Sequence, residues 1–393
     1  MAEIYKSPGV YRQEVFLKPP PVLQTGVPGF VGFAVPLPGG PAINQPVALN
    51  RKEEFSAQFS SLTGSYFADV VAGFFDNGGI RCYAVAANAA TDPARGLVDA
   101  VAALAPLDDM DLVAVPDAAT LQTPDKLPDT ESILHVQSEV LKHCAEQGNR
   151  FAILDSWPGA GVDDVIDQCR QLTGDGQEPV NGALYYPWLI PAPPGGRMPP
   201  CGHVAGIYAR SDVKTGIFKA PANEEILGVL DLEIQIDNNI QDKLNPERVN
   251  CLRAFPGRGI RVWGARTLGR SLADDDGSTI PEWLYVNVRR LFLTLRRWID
   301  LQMGWATFEP NDFHLWVRIV RELTTFLTRL QRDGALQGTT PTEAFYVKCD
   351  AENNPPELRD LGQVMIEIGL APLAPGEFIV VRVVRSAGGA SQD

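Results

Sequence analysis

Between residues 78 and 190 the chain repeats one pattern: a short apolar segment, a helical window, then another short apolar segment. The segments GGIRCYAVAA (78–87), DLVAVPD (111–117), RFAILD (150–155) and GALYYPWLI (182–190) read as strands. The windows near 94–104, 130–146 and 162–172 read as the helices between them. Strands separated by helices of that length are joined by crossovers rather than hairpins, so the expected product is an open, partly parallel α/β layer. An earlier window, 53–76, places Phe55, Phe59, Tyr66, Val70 and Phe74 at helical spacing and predicts a helix ahead of the series.

The series ends at PAPPGGRMPPCG (191–202), the densest Pro and Gly punctuation in the chain, and a domain boundary is expected there. A short helix (203–211) follows, then CLRAF and IRVWGA, two strands about a Pro-Gly-Arg-Gly turn. Two long helices come next. The first is expected to open at Ser278 or Thr279, with Pro281 in its first turn, and to bury Leu284, Val288, Leu291, Leu295 and Trp298. Arg289, Arg290, Arg296 and Arg297 fall on roughly the opposite side. They read either as a solvated face with Asp300 as a local partner or as a docking face for an acidic protein. The second helix is expected from about Pro310 and Asn311 to Gly334.

Strand material at the two ends lacks obvious partners. SPGVYRQEVF (7–16) is a single strand between Pro8 and Pro19–Pro21, with no second strand near enough for a hairpin. QVMIEIGLA and EFIVVRVVR close the chain as two strands about a Pro-rich turn, the first with Val364, Ile366, Ile368 and Leu370 on one face. Strand backbone needs hydrogen-bond partners and a lone hairpin is marginal in water, so another copy of the chain is expected to supply the missing pairing.

Composition narrows the function. With 393 residues, 45% hydrophobic and 21% charged, the chain can bury a large core. A formal net charge of −14 opposes general nucleic-acid binding. No secretory signal opens the chain, no apolar run is long enough to span a bilayer, and six scattered cysteines without a CxxC pair suggest reduced, buried thiols made in a cytosol. Catalytic signatures are sparse: there is no GxSxG elbow, Walker A loop or HExxH, and only four histidines. His135, Glu139 and His143 share a helix face and could hold a metal, or be a solvated polar face. DDDG (274–277) could hold a cation or cap a helix, and GRGIRVWG lies in a strand pair rather than before a helix. A cytosolic metal-dependent α/β enzyme is therefore the alternative reading.

Several of these segments, with others, resemble the contractile tail sheath family of phage tails, R-type pyocins and extracellular contractile injection systems. The resemblance rests on SPGVYRQEV, FFDNGGIRCYAVAA (74–87), GHVAGIYARSDVKTGIFKAPANE (202–224), LNPERVNCLRAFPGRGIRVWGARTL (244–268) and VNVRRLFL (286–293). It continues through WATFEPNDFHLWVRI (305–319), LQRDGALQGTTPTEAFYVKCD (330–350) and NNPPELRDLGQVMIEIGLAPLAPGEFIVVRV (353–383). It implies an N-terminal extended arm (1–22), an outward α/β domain (23–200), an inner domain with long helices (201–362), and C-terminal strands and arm (363–393). A small β-sheet would be completed by arms of neighbouring subunits through Val10, Tyr11, Arg12, Val15, Val364, Ile366, Ile368, Val380, Val381 and Val383. Arg289, Arg290, Arg296 and Arg297 would face an inner tube. The implied function is structural, without cofactor, metal, nucleotide or catalysis. Subunits stack as hexameric rings in a helical lattice, meet tube, baseplate and tail terminator proteins, bind no nucleic acid, and contract to drive the tube through a membrane they touch only indirectly. Assembly would occur in a bacterial cytoplasm, as part of a phage tail or a tail-like particle that can be released.

Overall fold

The computed structural model describes residues 23–90, 92–174, 179–192, 196–269 and 283–377. The chain starts with strands β1 (Pro28–Gly32), β2 (Ala34–Pro36) and β3 (Val47–Leu49), then α1 (Glu53–Gln58), β4 (Phe59–Ser61) and α2 (Phe67–Asp76). The alternating series follows as β5 (Cys82–Ala86), α3 (Pro93–Ala102), β6 (Leu112–Ala114), α4 (Thr130–Gln147), β7 (Phe151–Asp155), α5 (Val162–Leu172) and β8 (Gly182–Tyr186). Then come β9 (Leu189–Pro191), α6 (Cys201–Lys214), β10 (Val229–Leu232), α7 (Asn238–Leu244), β11 (Val249–Phe255) and β12 (Gly259–Trp263). The last part holds α8 (Val286–Gln302), α9 (Phe313–Arg332), α10 (Pro341–Ala344), β13 (Phe345–Lys348), α11 (Pro356–Asp360) and β14 (Glu367–Leu370).

The expected layer is an eight-stranded mixed sheet in the order β12-β11-β8-β7-β6-β1-β5-β3. Its six central strands are parallel, and the two edges, β3 and β12, pair antiparallel. Successive strand residues serve opposite cores, which explains why these strands are apolar throughout. Phe30, Ala84, Ile153 and Tyr185 pack toward α2 and α6. Val31, Val85, Leu154 and Tyr186 pack toward α3, α4 and α5. Helix ends follow local chemistry: Asp92 and Asp129 accept hydrogen bonds from Arg95 N and Ser132 N, and α4 stops at Gly148 in the left-handed region.

Three expectations change. The window 53–76 holds two helices parted by β4, because Phe59 and Ser61 pair with Pro36 and Ala34. The division expected near residue 200 falls inside the layer, since β11 pairs with β8 and β12 with β11. The first long helix opens at Val286 from an extended Tyr285, whereas the expected caps Ser278 and Thr279, with Pro281, lie outside the described residues. The second runs as expected, capped by Asp312 and followed by Gly334 at φ 84°.

All six cysteines are buried as thiols. Among the described residues no helix is long and apolar enough to cross a membrane.

Candidate intersubunit strand site

Helices α8 and α9 carry a second body. Trp298 stacks on Phe326 at 4.1 Å between ring centroids, and Leu291, Leu295 and Leu327 share one cluster with Ala344 and Phe345. On this pair lies a small sheet in which β13 and β14 run antiparallel, with Phe345 opposite Leu370, Tyr346 opposite Gly369, Val347 opposite Ile368 and Lys348 opposite Glu367. Ala371 N donates to Ala344 O and Gln337 N to Ala371 O, extending the contact past the strand ends. Among the described residues the sheet has two strands, so each strand has one paired edge and one edge open to another strand.

The two faces differ. Val347 and Ile368 pack on the helices, with Val364 and Ile366 continuing the same side, while Met365 and Glu367 between them are exposed. That alternation is the one-sided pattern expected from the sequence. On the outer face Tyr346 is half exposed and its hydroxyl donates to Glu367 Oε1 at 2.6 Å. Its ring crosses directly over Gly369, where a Cβ would meet ring carbon at 2.1 Å. Glycine there lets the aromatic ring lie flat on the sheet.

The other expected strand-exchange residues, Val10, Tyr11, Arg12, Val15, Val380, Val381 and Val383, lie outside the described residues, as does DDDG. The chain is described up to Glu377, whose carboxylate meets Arg266 at 2.5 and 3.1 Å. Strand β13 was not among the expected strands. Its signal is modest but present: a capping box at Thr340 and Glu343 opens the short α10, and FYVK follows it.

The arginine face requires correction. Arg290 and Arg297 are 1% and 2% exposed and lie within the subunit. Arg290 bridges Asp212 Oδ2 at 2.6 Å and Asp111 Oδ2 at 3.1 Å, and its guanidinium lies over Tyr208. Arg297 donates to Gln24 O and Asp108 O. Arg289 is half-buried, donating to Asn181 Oδ1 and lying over Trp283. Arg296 is exposed and sits against Gly148, at the negative end of the α4 dipole. The helix is covered on two sides, by the α/β layer at Val286 and Leu293 and by the second body at Leu291 and Leu295. A solvated stripe opposite the leucines is therefore not what the fold presents.

The metal alternative loses its geometry. His143 is buried with Nε2 2.9 Å from Arg150 Nη1, and burial plus that cation push its pKa down to about 4. His135 faces solvent and Glu139 pairs with Lys142. Among the described residues no three His, Cys, Asp or Glu side chains are grouped to hold a metal. A cleft of about 440 Å³ opens beside Phe33 and Thr120, beyond the carboxyl ends of β1 and β6, where an α/β enzyme would place its site. Its described lining includes Tyr66, Gln122, Lys126 and Arg197 but no imidazole, thiol or carboxylate.

Family models agree with the resemblance. The model described as "Phage tail sheath protein central domain" matches residues 94–268, and that described as "Phage tail sheath C-terminal domain" matches 278–385. The tail sheath protein of Vibrio phage KVP40 is 26% identical over 193 residues, 48% of this chain and 27% of that protein. The matched stretch thus spans about a quarter of the relative's length. Among solved structures, the helical sheath of the anti-feeding prophage in its contracted state is 28% identical, with TM-score 0.73, covering 98% of this chain and 100% of that one. A chain in the six-fold symmetrised baseplate of the anti-feeding prophage gives 28% identity, TM-score 0.72 and the same coverage. Similar chains thus come from sheath and baseplate assemblies of phage tails and tail-like particles, where their role is structural. With the sheath models matching from residue 94 to residue 385 and the fold shared along almost the whole chain, this protein belongs to the contractile tail sheath family.

Proposed function

We propose that the chain is a sheath subunit that polymerises helically around an inner tube and contracts to drive that tube through a target membrane. The observation that carries this reading is the β13–β14 sheet, backed by two long helices and, among the described residues, two-stranded, so that each strand has an unpaired edge. Strand addition supplies main-chain hydrogen bonds to an incoming arm and leaves the surrounding surfaces free to slide. Residues 1–22 form the N-terminal arm, 363–393 hold the C-terminal strands and arm, and Val364, Ile366 and Ile368 belong to the receiving sheet. Contacts that do not close within one ring build a helical tube. Energy for contraction resides in two packings of the same subunits, so neither nucleotide nor catalytic site enters the cycle. Arg296 is the arginine of the α8 face still available to a tube or a neighbouring subunit. Partners are other copies, the tube, the baseplate and a terminator, with assembly in a bacterial cytoplasm before release as a particle.

The test is electron microscopy of the chain expressed alone, beside a version lacking residues 1–22. Hollow striated tubes from the full chain and none from the truncation support the reading. Equal tubes from both refute strand exchange by the N-terminal arm, and discrete small oligomers from both refute self-assembly.

A further inference from the structure

We infer that α8 is the common anchor of both arms, its Arg290 and Arg297 holding the root of the N-terminal arm and its Asn287 holding the root of the C-terminal one. The inference rests on the arm reading above and adds which residues bear the load. On the N-terminal side, Arg297 Nη1 donates to Gln24 O at 3.1 Å. Asp111, ion-paired to Arg290, accepts from Gly26 N at 3.1 Å and from Val27 N at 2.7 Å. Gly26 has φ 71°, and a Cβ there would stand 2.5 Å from Ala209 Cα, so the backbone is wedged between α6 and the Asp111 carboxylate. On the C-terminal side, Asn287 Nδ2 donates to Leu373 O at 3.1 Å and to Phe218 O at 2.7 Å. Four residues on, Glu377 is gripped by Arg266, whose backbone bridges Tyr285 at the entry to α8.

Positions 287, 290 and 297 fall within about 80° of one another on a helical projection, so one face of α8 meets both roots. A neighbouring face, through Leu291 and Leu295, supports the cluster under β13. Tension entering through either arm therefore reaches one helix directly, and that helix also carries the sheet that receives a neighbour's strand. A buried ion pair alone is weak evidence for such a role, because it often adds little net stability. Here the arginines and their partner carboxylate grasp backbone at 24–27, which side-chain pairing for stability alone does not require.

The test compares full-length wild type with Arg297→Met and Arg297→Lys, by hydrogen exchange of residues 23–30 and by tube length after assembly. Arg297→Met is expected to speed exchange there by about tenfold, the loss of one charge-assisted hydrogen bond, and to shorten tubes, while Arg297→Lys restores both. Asn287→Leu is read in the same way at residues 370–377. Unchanged exchange in Arg297→Met overturns the anchor, and faster exchange with tubes of normal length overturns its mechanical role. Failure of the arm reading shows separately, as normal tubes from the chain lacking 1–22.

Discussion

Replacing Arg290 by Met isolates the electrostatic centre of the subunit. The guanidinium is 1% exposed and makes two hydrogen bonds to Asp212, at 2.6 and 3.0 Å, and one to Asp111 at 3.1 Å. Removing it leaves two buried carboxylates, and breaking a buried pair costs about 3–5 kcal/mol. Asp111 keeps the N–H groups of Gly26 and Val27, so most of the loss falls on Asp212, whose pKa is already raised by burial. Without its cation Asp212 takes up a proton in the folded state, and its folded pKa rises further above the unfolded value near 3.8. For a group with a raised folded pKa, stability is present at low pH and lost as pH rises through that pKa. The expected deficit is about 3–4 kcal/mol at pH 8, shrinking toward pH 5. Adding Asp212→Asn to Arg290→Met should recover about half of it. Urea unfolding at both pH values, with midpoints compared at constant slope, measures this. A deficit below about 1 kcal/mol, or one that does not change with pH, would refute the reasoning.

Asp155 is buried, and burial pushes its pKa to about 7 although its carboxylate accepts from Cys201 N. Asp155 by itself should therefore contribute a downward slope of stability between about pH 4 and about pH 7, opposed by the upward contribution of His143, whose folded pKa is lowered to about 4. Asp155→Asn should remove that slope and stabilise the subunit at pH 8 by up to about 4 kcal/mol, read by unfolding across the same range. Gly26→Ala should destabilise by about 2–3 kcal/mol through strain at φ 71° and the clash with Ala209, seen as a lower urea midpoint.

The α/β layer was legible because its signal is local. Segments such as RFAILD lie between helices that cap and stop on their own residues, as Asp129 and Gly148 bound α4, so period and punctuation suffice. The one-sided strand around Ile366 and Ile368 was legible for the same reason. The fate of the arginines was not. Arg290 meets Asp212 and Asp111 across 78 and 179 residues of sequence, and no local pattern distinguishes a guanidinium bound for a distant carboxylate from one bound for water. Likewise β13 is four residues long and pairs with β14 across an intervening helix, so its identity depends on a partner that sequence spacing does not reveal. A helix sandwiched between two bodies also defeats a wheel drawn for one buried face.

The placement of the cysteines has a chemical consequence. All six thiols are enclosed, and burial pushes those of Cys82, Cys144, Cys201, Cys251 and Cys349 above their usual range, away from the reactive thiolate. A polymer of many copies that passes from a reducing compartment into air or host fluid meets oxidant at every exposed sulfur. Covalent links between neighbours would oppose the sliding that the proposed contraction requires. With its sulfur inside, this subunit is expected to resist oxidative cross-linking, and under the function proposed above that would let contraction proceed after a change of redox environment without a reductant.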